Sequence, residues 1–366
     1  MVTEMLHFKK KGKRMKKLFL MAMVIASTGL AQAQSNVTLY GTLDASVYSI
    51  NNSSGLVDSS MTSSLWGIKA TEDVGNGTKA VANIEGDLQT NNGGMNQNGL
   101  FRRAAYVGLA NNQLGEIDLG LKINPMISAA NSILPLAGNS VNFTTEIALG
   151  YADFFNKNAV TYSSPKIAGT TATVQFGLGN QTSADGTDIA SGSVTAFNLI
   201  YSGINNLNVI VAGQERHNGG AANVSANSNS PGKLTYLAGA NYKLGNLSVG
   251  AGYVSNKTDT GTAVGNVNAE MVGVGYQLTP VVLLGANYVR TNDNASLTNV
   301  QAHYSFSKRT EVYAQLGYAQ NGATTSNPIA PIFQTTGTSP GVDINGYSGV
   351  AGQNQTGAGV GIIHRF

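Results

Sequence analysis

Val37-Thr38-Leu39-Tyr40-Gly41-Thr42-Leu43-Asp44-Ala45-Ser46-Val47 separates by parity. Extended, it puts Val37, Leu39, Leu43, Ala45 and Val47 on one face and Thr38, Tyr40, Thr42, Asp44 and Ser46 on the other. Period two with one apolar and one polar face describes a strand with oil on one side and water on the other. A strand of a soluble sandwich gives the same local pattern, so repetition along the chain has to decide.

The pattern does repeat. Alternating segments fall near 36–50, 61–74, 78–90, 100–110, 114–123, 158–165, 170–179, 193–202, 207–216, 232–243, 246–256, 266–278, 281–290, 296–306, 309–319 and 355–366. Tight turns such as Gly75-Asn76-Gly77, Asn205-Asn206, Leu244-Gly245, Thr279-Pro280 and Ser307-Lys308 alternate with long polar connections at 51–60, 124–156, 218–231 and 320–353. Short turns at one end, long loops at the other and an even strand count belong to transmembrane barrels. Lipid offers backbone groups no water, so a spanning sheet must close on itself. About 9–11 tilted residues cross the bilayer, and these segments are of that length. The expected fold is an all-β, 16-stranded antiparallel transmembrane β-barrel with short periplasmic turns and long external loops. Eight strands would be filled by side chains, whereas sixteen leave an aqueous channel.

Composition agrees. Only 11% of the 366 residues are charged, against roughly 25% in soluble domains. Gly is abundant at 45 and Cys is absent, which suits an exported chain held by its sheet and not by disulfides. After the N-terminus, no apolar run approaches the roughly 20 residues of a membrane helix. The N-terminus itself reads as a signal peptide: Lys16-Lys17, an apolar stretch over 18–30, and Ala31-Gln32-Ala33 as a cleavage site. Residues 1–33 are thus expected to be leader, with 1–14 an extension ahead of Met15, and 34–366 one barrel. The leader holds seven of the 22 Lys/Arg and one of the 19 acids, so the remainder carries a net charge of about −3. The positive balance of the full sequence belongs to the leader and implies no nucleic-acid partner.

Several segments resemble the Gram-negative general porins, a family of trimeric sixteen-stranded barrels. Val37-Thr38-Leu39-Tyr40-Gly41 with Asp44 is similar to their first strand, and Trp66-Gly67-Ile68-Lys69 followed by Thr71-Glu72-Asp73 to their second. Arg103-Ala104-Ala105-Tyr106-Val107-Gly108-Leu109, Leu119-Gly120 and Asn124-Pro125 resemble the fourth and fifth strands leading into the third loop. Ser307-Lys308-Arg309-Thr310-Glu311-Val312-Tyr313 resembles the penultimate turn, and Val360-Gly361-Ile362-Ile363-His364-Arg365-Phe366 the terminal strand.

The resemblance implies a third loop folded into the barrel, with its acids facing a basic wall and a transverse field that sorts solutes. Here that loop is 124–156, and its acids are Glu146 and Asp153. The implied wall has Leu65 and Leu121 where the family usually carries Arg, leaving Lys69, Arg103 and Lys122, with Asp44 as a further constriction residue. Alternation allows only one of Arg102 and Arg103 to face inward, and the match favours Arg103. For Lys122 a solvated strand-end charge is the plainer reading. These residues and the acidic balance lead us to expect weak selectivity leaning toward cations. Implied partners are two further copies of the chain, outer-membrane lipid and lipopolysaccharide, the barrel assembly machinery acting on Phe366, and small hydrophilic solutes and ions. Small wall residues such as Gly239, Ala240 and Gly250 would permit trimer packing. Trp66, Tyr106, Tyr151, Tyr201 and Phe366 are candidates for interfacial aromatic girdles.

Other classes fit less well. Gly337-Thr338-Ser339-Pro340-Gly341 has the G-x-S-x-G form, but no strand precedes it and no helix follows, as a nucleophile elbow requires. A β-solenoid would show a short fixed repeat, and none is present. A substrate-specific channel remains the alternative. No cofactor or metal is expected.

Overall fold

The computed structural model describes residues 35–50, 53–95, 99–136, 154–179, 192–217, 232–259, 264–321 and 352–366. The expected leader, Glu146, Asp153, Tyr151 and the G-x-S-x-G stretch lie outside the described residues.

In chain order the elements are β1 (Asn36–Ile50), β2 (Ser53–Asp58), β3 (Leu65–Gly75), β4 (Thr78–Asp87), β5 (Ala104–Asn111), β6 (Gly115–Ile123) and a short helix, α1 (Pro125–Ala130). Then follow β7 (Phe155–Ser163), β8 (Thr170–Gly177), β9 (Val194–Ile204), β10 (Leu207–Arg216), β11 (Gly232–Leu244) and β12 (Leu247–Asp259). The last are β13 (Val264–Thr279), β14 (Val282–Thr291), β15 (Ser296–Ser305), β16 (Thr310–Gln320) and β17 (Gln355–Arg365). All pairings between these strands are antiparallel. β1 pairs with both β2 and β3, each strand from β3 onward pairs with its successor, and β1 pairs with β17 (Thr42 opposite Arg365, Ile50 opposite Gly357) to close the ring. The result is a closed sixteen-strand barrel.

Seventeen strands make sixteen spans because β2 and β3 are one descending strand interrupted by residues 59–64. Ala45 faces Asp58 at the end of β2, and Thr42 faces Leu65 at the start of β3. The sequence reading placed the second strand at 61–74. The strand instead resumes at Leu65, because Asp44 diverts the chain before it. Asp44 accepts backbone N–H groups from Met61 (2.6 Å) and Thr62 (2.8 Å), and its own N–H donates to Ser64 Oγ at 3.0 Å.

Parity runs around the ring as the first strand predicts. Val37, Leu39, Val47, Val107, Leu109, Leu119, Val211, Val272, Leu316 and Val360 are exposed on the outer face. Asn198, Gln214, Thr235, Asn287, Asn299 and Gln315 are buried on the inner face. No helix among the described residues is long and apolar enough to cross a membrane; the crossing is made by strands. The short turns use the conformations their residues favour. Gly75, Asn76 and Gly77 have φ of 90°, 54° and 71°, left-handed values that let β3 and β4 reverse within two or three residues.

Candidate pore constriction

The chain after β6 turns inward. Asn124 caps α1 by accepting from the Met126 N–H at 2.9 Å, and Pro125 occupies the first helical turn, where its missing N–H costs nothing. Wall amides hold the entry: Asn124 Nδ2 donates to Gln214 Oε1 (2.5 Å) and Asn198 Nδ2 to the Pro125 carbonyl (2.8 Å). Below them, Met126, Ile127, Ala129, Ala130, Ile133 and Leu134 are buried in one cluster with inner-face Ile210, Leu237, Val254, Met271, Val289 and Leu297. A water-filled barrel with an apolar inner arc needs such a cover.

The cover continues as a strap of successive turns, residues 132–136, lying against glycines of β11–β14. A methyl group on Gly239 would come within 2.6 Å of Ile133 Cδ1, and one on Gly275 within 3.0 Å of Pro135 Cβ. On Gly250 it would collide with the Ile133 carbonyl, and on Gly285 with Leu136. Asn241 Nδ2 donates to the Ser132 carbonyl at 2.5 Å. Gly239 and Gly250 therefore face the lumen and seat the strap. They do not offer flat outer surface to a neighbouring barrel, as the sequence reading supposed.

The opposite arc, β3–β6, carries paired charges. Arg103 Nε lies 2.7 Å from Glu85 Oε1 and its Nη1 3.2 Å from Asp87 Oδ1, while Arg102 pairs with the other oxygen of Asp87. Both arginines thus reach the inward acids, against the expectation that only one could. They precede Ala104, where β5 begins, so strand alternation does not bind them. Burial holds the Arg102 guanidinium below its ordinary range, and Asp87 opposes that shift. Arg103 also lies over the Phe155 ring, 5.1 Å from its centroid.

Lys122 is not a free strand-end charge. It pairs with Asp118 and, at 3.3 Å, with Glu116, and its Nζ lies 4.7 Å from the Tyr106 ring centroid. A register shift between Gly120 and Lys122 against β7, with Asn158 at φ 49°, reshapes the wall there. Lys69 faces inward with Thr38 and Asn83, but towards the short-turn end and exposed. Leu65 also faces inward, opposite Asp87. Leu121 lies opposite Ala105 on the outer face.

Asp44 faces inward yet is fully buried under residues 59–64, where the Tyr313 hydroxyl donates to it at 2.6 Å. It organises the wall and does not meet the water path. Tyr106 faces inward too, opposite Asn83 and Gly120, and so leaves the girdle candidates. Trp66, packed on Phe101 with centroids 5.7 Å apart, and Tyr201 keep to the outer face. Phe366 pairs with Gly41 through both backbone bonds (3.2 and 3.1 Å) and completes the outer set Ala358, Val360, Ile362 and His364.

Glu85, Asp87, Glu116 and Asp118 were missed as site residues. They were legible, because Lys79, Val81, Asn83, Glu85 and Asp87 share the inward parity of β4, and Glu116 and Asp118 share that of Gly120 on β6. The resemblance had drawn attention to loop acids instead. No cluster among the described residues could hold a metal ion.

The family description "Gram-negative porin" matches residues 20–324 of the chain. An outer membrane porin protein of Bordetella pertussis is 30% identical over 48% of this chain and 50% of its own length. Outer membrane porin protein 32 of Delftia acidovorans is 26% identical over 96% of this chain and all of its own. Among solved structures, the anion-selective porin from Comamonas acidovorans superposes with a TM-score of 0.74 at 24% identity, over 91% of this chain and all of that one. The trimer form of OmpT from Vibrio cholerae gives 0.64 at 15% identity, over 91% and 99%. Closed barrel, in-folded chain after the fifth span and family match agree: the chain belongs to the Gram-negative porins, outer-membrane channels for passive diffusion and not enzymes.

Proposed function

We propose that the charged arc of β3–β6, with Arg103 and Lys122 at its centre, and the in-folded chain between β6 and β7 form the constriction of this outer-membrane porin. The apolar seating of α1 and residues 132–136 carries the reading. It covers the β10–β15 side of the lumen and leaves the ion-paired arc as the wall that water and solutes pass. Glu146 and Asp153 belong to the same loop and are assigned to its inward edge, and Lys69 to the short-turn mouth. Single-channel conductance in planar bilayers tests this: stable ohmic steps in KCl are expected, and a chain that folds yet conducts nothing would sink it.

The lumen is proposed to favour anions weakly, not cations. Inward cations are Lys69, Lys79, Lys122, Arg216, Lys233, Lys243 and Arg365, with the Arg102–Arg103 pair. Inward acids among the described residues are fewer: Asp73, Glu85, Asp87, Glu116, Asp118 and Glu311, since Asp44 is sealed, and with the loop acids Glu146 and Asp153 added they would number eight against nine cations. The expectation of a cation preference rested on Leu65 and Leu121 in place of arginines, on Asp44 with the loop acids Glu146 and Asp153, and on overall charge. Among the described residues, however, Glu72, Glu215 and Glu270 stand on the outer face. The Comamonas porin of similar fold is named anion-selective.

The working unit is proposed to be a homotrimer. On the outer face of β14–β17 and β1, Ala286, Ala302, Ala314, Ala358 and Ala45 lie among larger apolar residues, forming adjoining grooves of about 590 and 750 Å³ that share Ala302, Ala314 and Val360. Such knobless strips let a second barrel approach closely. The remaining outer rows meet outer-membrane lipid and lipopolysaccharide. Residues 1–33 are read as the export leader, and Phe366 as the residue taken by the assembly machinery.

A further inference from the structure

Between residues 132–136 and the short-turn ends of β10–β14 the lumen wall forms an open pocket of about 580 Å³, within the range of small-molecule sites. One side is the apolar edge of Pro135 and Leu136 with inward Leu283; the other is polar, with Asn206, Asn208, Lys243, Ser248 and Gln277. Lys243 is exposed and inward, opposite Ser248 and one register step beyond Asn241. Among the described residues the lining holds one cation and no acid. Neighbouring amides are partly committed: Asn208 Nδ2 donates to Asn241 Oδ1 (2.9 Å), and Gln277 Nε2 to the carbonyls of Thr279 (2.7 Å) and Val282 (3.1 Å). Their geometry is thereby fixed, while Lys243 and Ser248 belong to the lining and bring an ammonium and a hydroxyl able to donate into it.

We propose that this pocket is a solute-binding site for small organic carboxylates bearing a short alkyl chain. The carboxylate takes a charge-assisted hydrogen bond from Lys243 with Ser248 beside it, and the alkyl part lies on Pro135, Leu136 and Leu283. A hydrated inorganic anion gains only the first contact, and a neutral amide keeps the second but meets Lys243 without an opposite charge. The site depends on the strap: without residues 132–136 one wall is missing. It adds to the porin reading a place where a passing solute pauses.

Butyrate and butyramide are the probes. Saturation-transfer NMR on the detergent-folded full chain reads binding without requiring conduction, so it separates failure of this site from failure of the channel reading. Butyrate should show contact and butyramide far less. Lys243→Gln should weaken butyrate binding about tenfold or more, the loss of one charge-assisted hydrogen bond. Lys79→Gln removes an inward cation at the same mouth from the opposite arc, and should leave butyrate binding intact. In bilayers, butyrate should lower chloride current through the unaltered channel and through Lys79→Gln, but not through Lys243→Gln. Equal weakening by both substitutions, equal binding of butyramide, or no butyrate contact in the unaltered chain would each overturn the proposal.

Discussion

Tyr313 on β16 donates its hydroxyl to Asp44 on β1 at 2.6 Å, joining residues 269 positions apart across β17 at the seam where the barrel closes. Gly361 of β17 lies between them, and a methyl group there would collide with the Tyr313 ring. The same carboxylate holds the Met61 and Thr62 N–H groups. One buried acid thus ties the closing seam to the interruption between β2 and β3.

Asp44→Ala should therefore act on stability and not on selectivity. It leaves buried donors without an acceptor, at about 1–3 kcal/mol each, so a loss of roughly 3 kcal/mol or more is expected. Tyr313→Phe removes one bond to a charged group, about 1.5–3 kcal/mol. Urea midpoints of the detergent-folded protein read both. A large shift in reversal potential with unchanged midpoint would put Asp44 in the water path after all.

The strap seat gives a second prediction. Gly250→Leu and Gly285→Leu place side chains where the Ile133 carbonyl and Leu136 now lie. Overpacking of this kind costs about 1–3 kcal/mol, and the strap is the part able to yield. Both variants should still form barrels, with higher single-channel conductance and faster entry of larger sugars in liposome swelling. Barrels with unchanged conductance would mean that the wall, not the strap, moved.

Leu65 and Leu121 should part company. Leu65→Arg adds an inward cation beside Asp87 and should move reversal potentials toward anions. Leu121→Arg faces outward near the loop end of β6, where an arginine on the lipid side costs about 0–1 kcal/mol, and should lower stability slightly with little change in selectivity. Equal shifts in reversal potential from the two variants would refute the assigned faces.

The barrel was legible in the chain because its signal is redundant: each strand repeats the parity of Val37 to Val47, and β1 and β10 appear with the expected bounds. What alternation could not convey is where it stops applying. Arg102 and Arg103 are the two residues before β5, residues 59–64 leave the sheet under the pull of Asp44, and the bulge beside Lys122 breaks register. Inward glycines gave no warning either, since a residue without a side chain has no parity to read. Gly239, Gly250 and Gly285 became meaningful only once the strap lay upon them. Charge position failed for a related reason: net charge counts outer and inner acids alike, whereas the pore meets only the inner ones.

That distinction sets the last prediction. Inward cations outnumber inward acids among the described residues, yet the central ones are paired, Arg102 and Arg103 with Glu85 and Asp87, and Lys122 with Asp118 and Glu116. Paired charges cancel beyond a few ångströms, so the unaltered channel should show a weak anion preference. It should grow in dilute salt, as the Debye length rises from about 10 Å at 0.1 M to about 30 Å at 0.01 M. Replacing Arg102 and Arg103 together by Gln strips Glu85 and Asp87 of their partners and leaves two acids on the same wall. That variant should lose most of the anion preference and move toward cations, because the two acids left unpaired on this wall enrich the opposite ion there. Arg103→Gln alone, leaving Arg102 on Asp87, should fall between. Zero-current potentials in a roughly tenfold KCl gradient, measured at two dilutions to vary the screening, read all three. If the double variant keeps the anion preference of the parent, the β3–β6 arc does not line the water path.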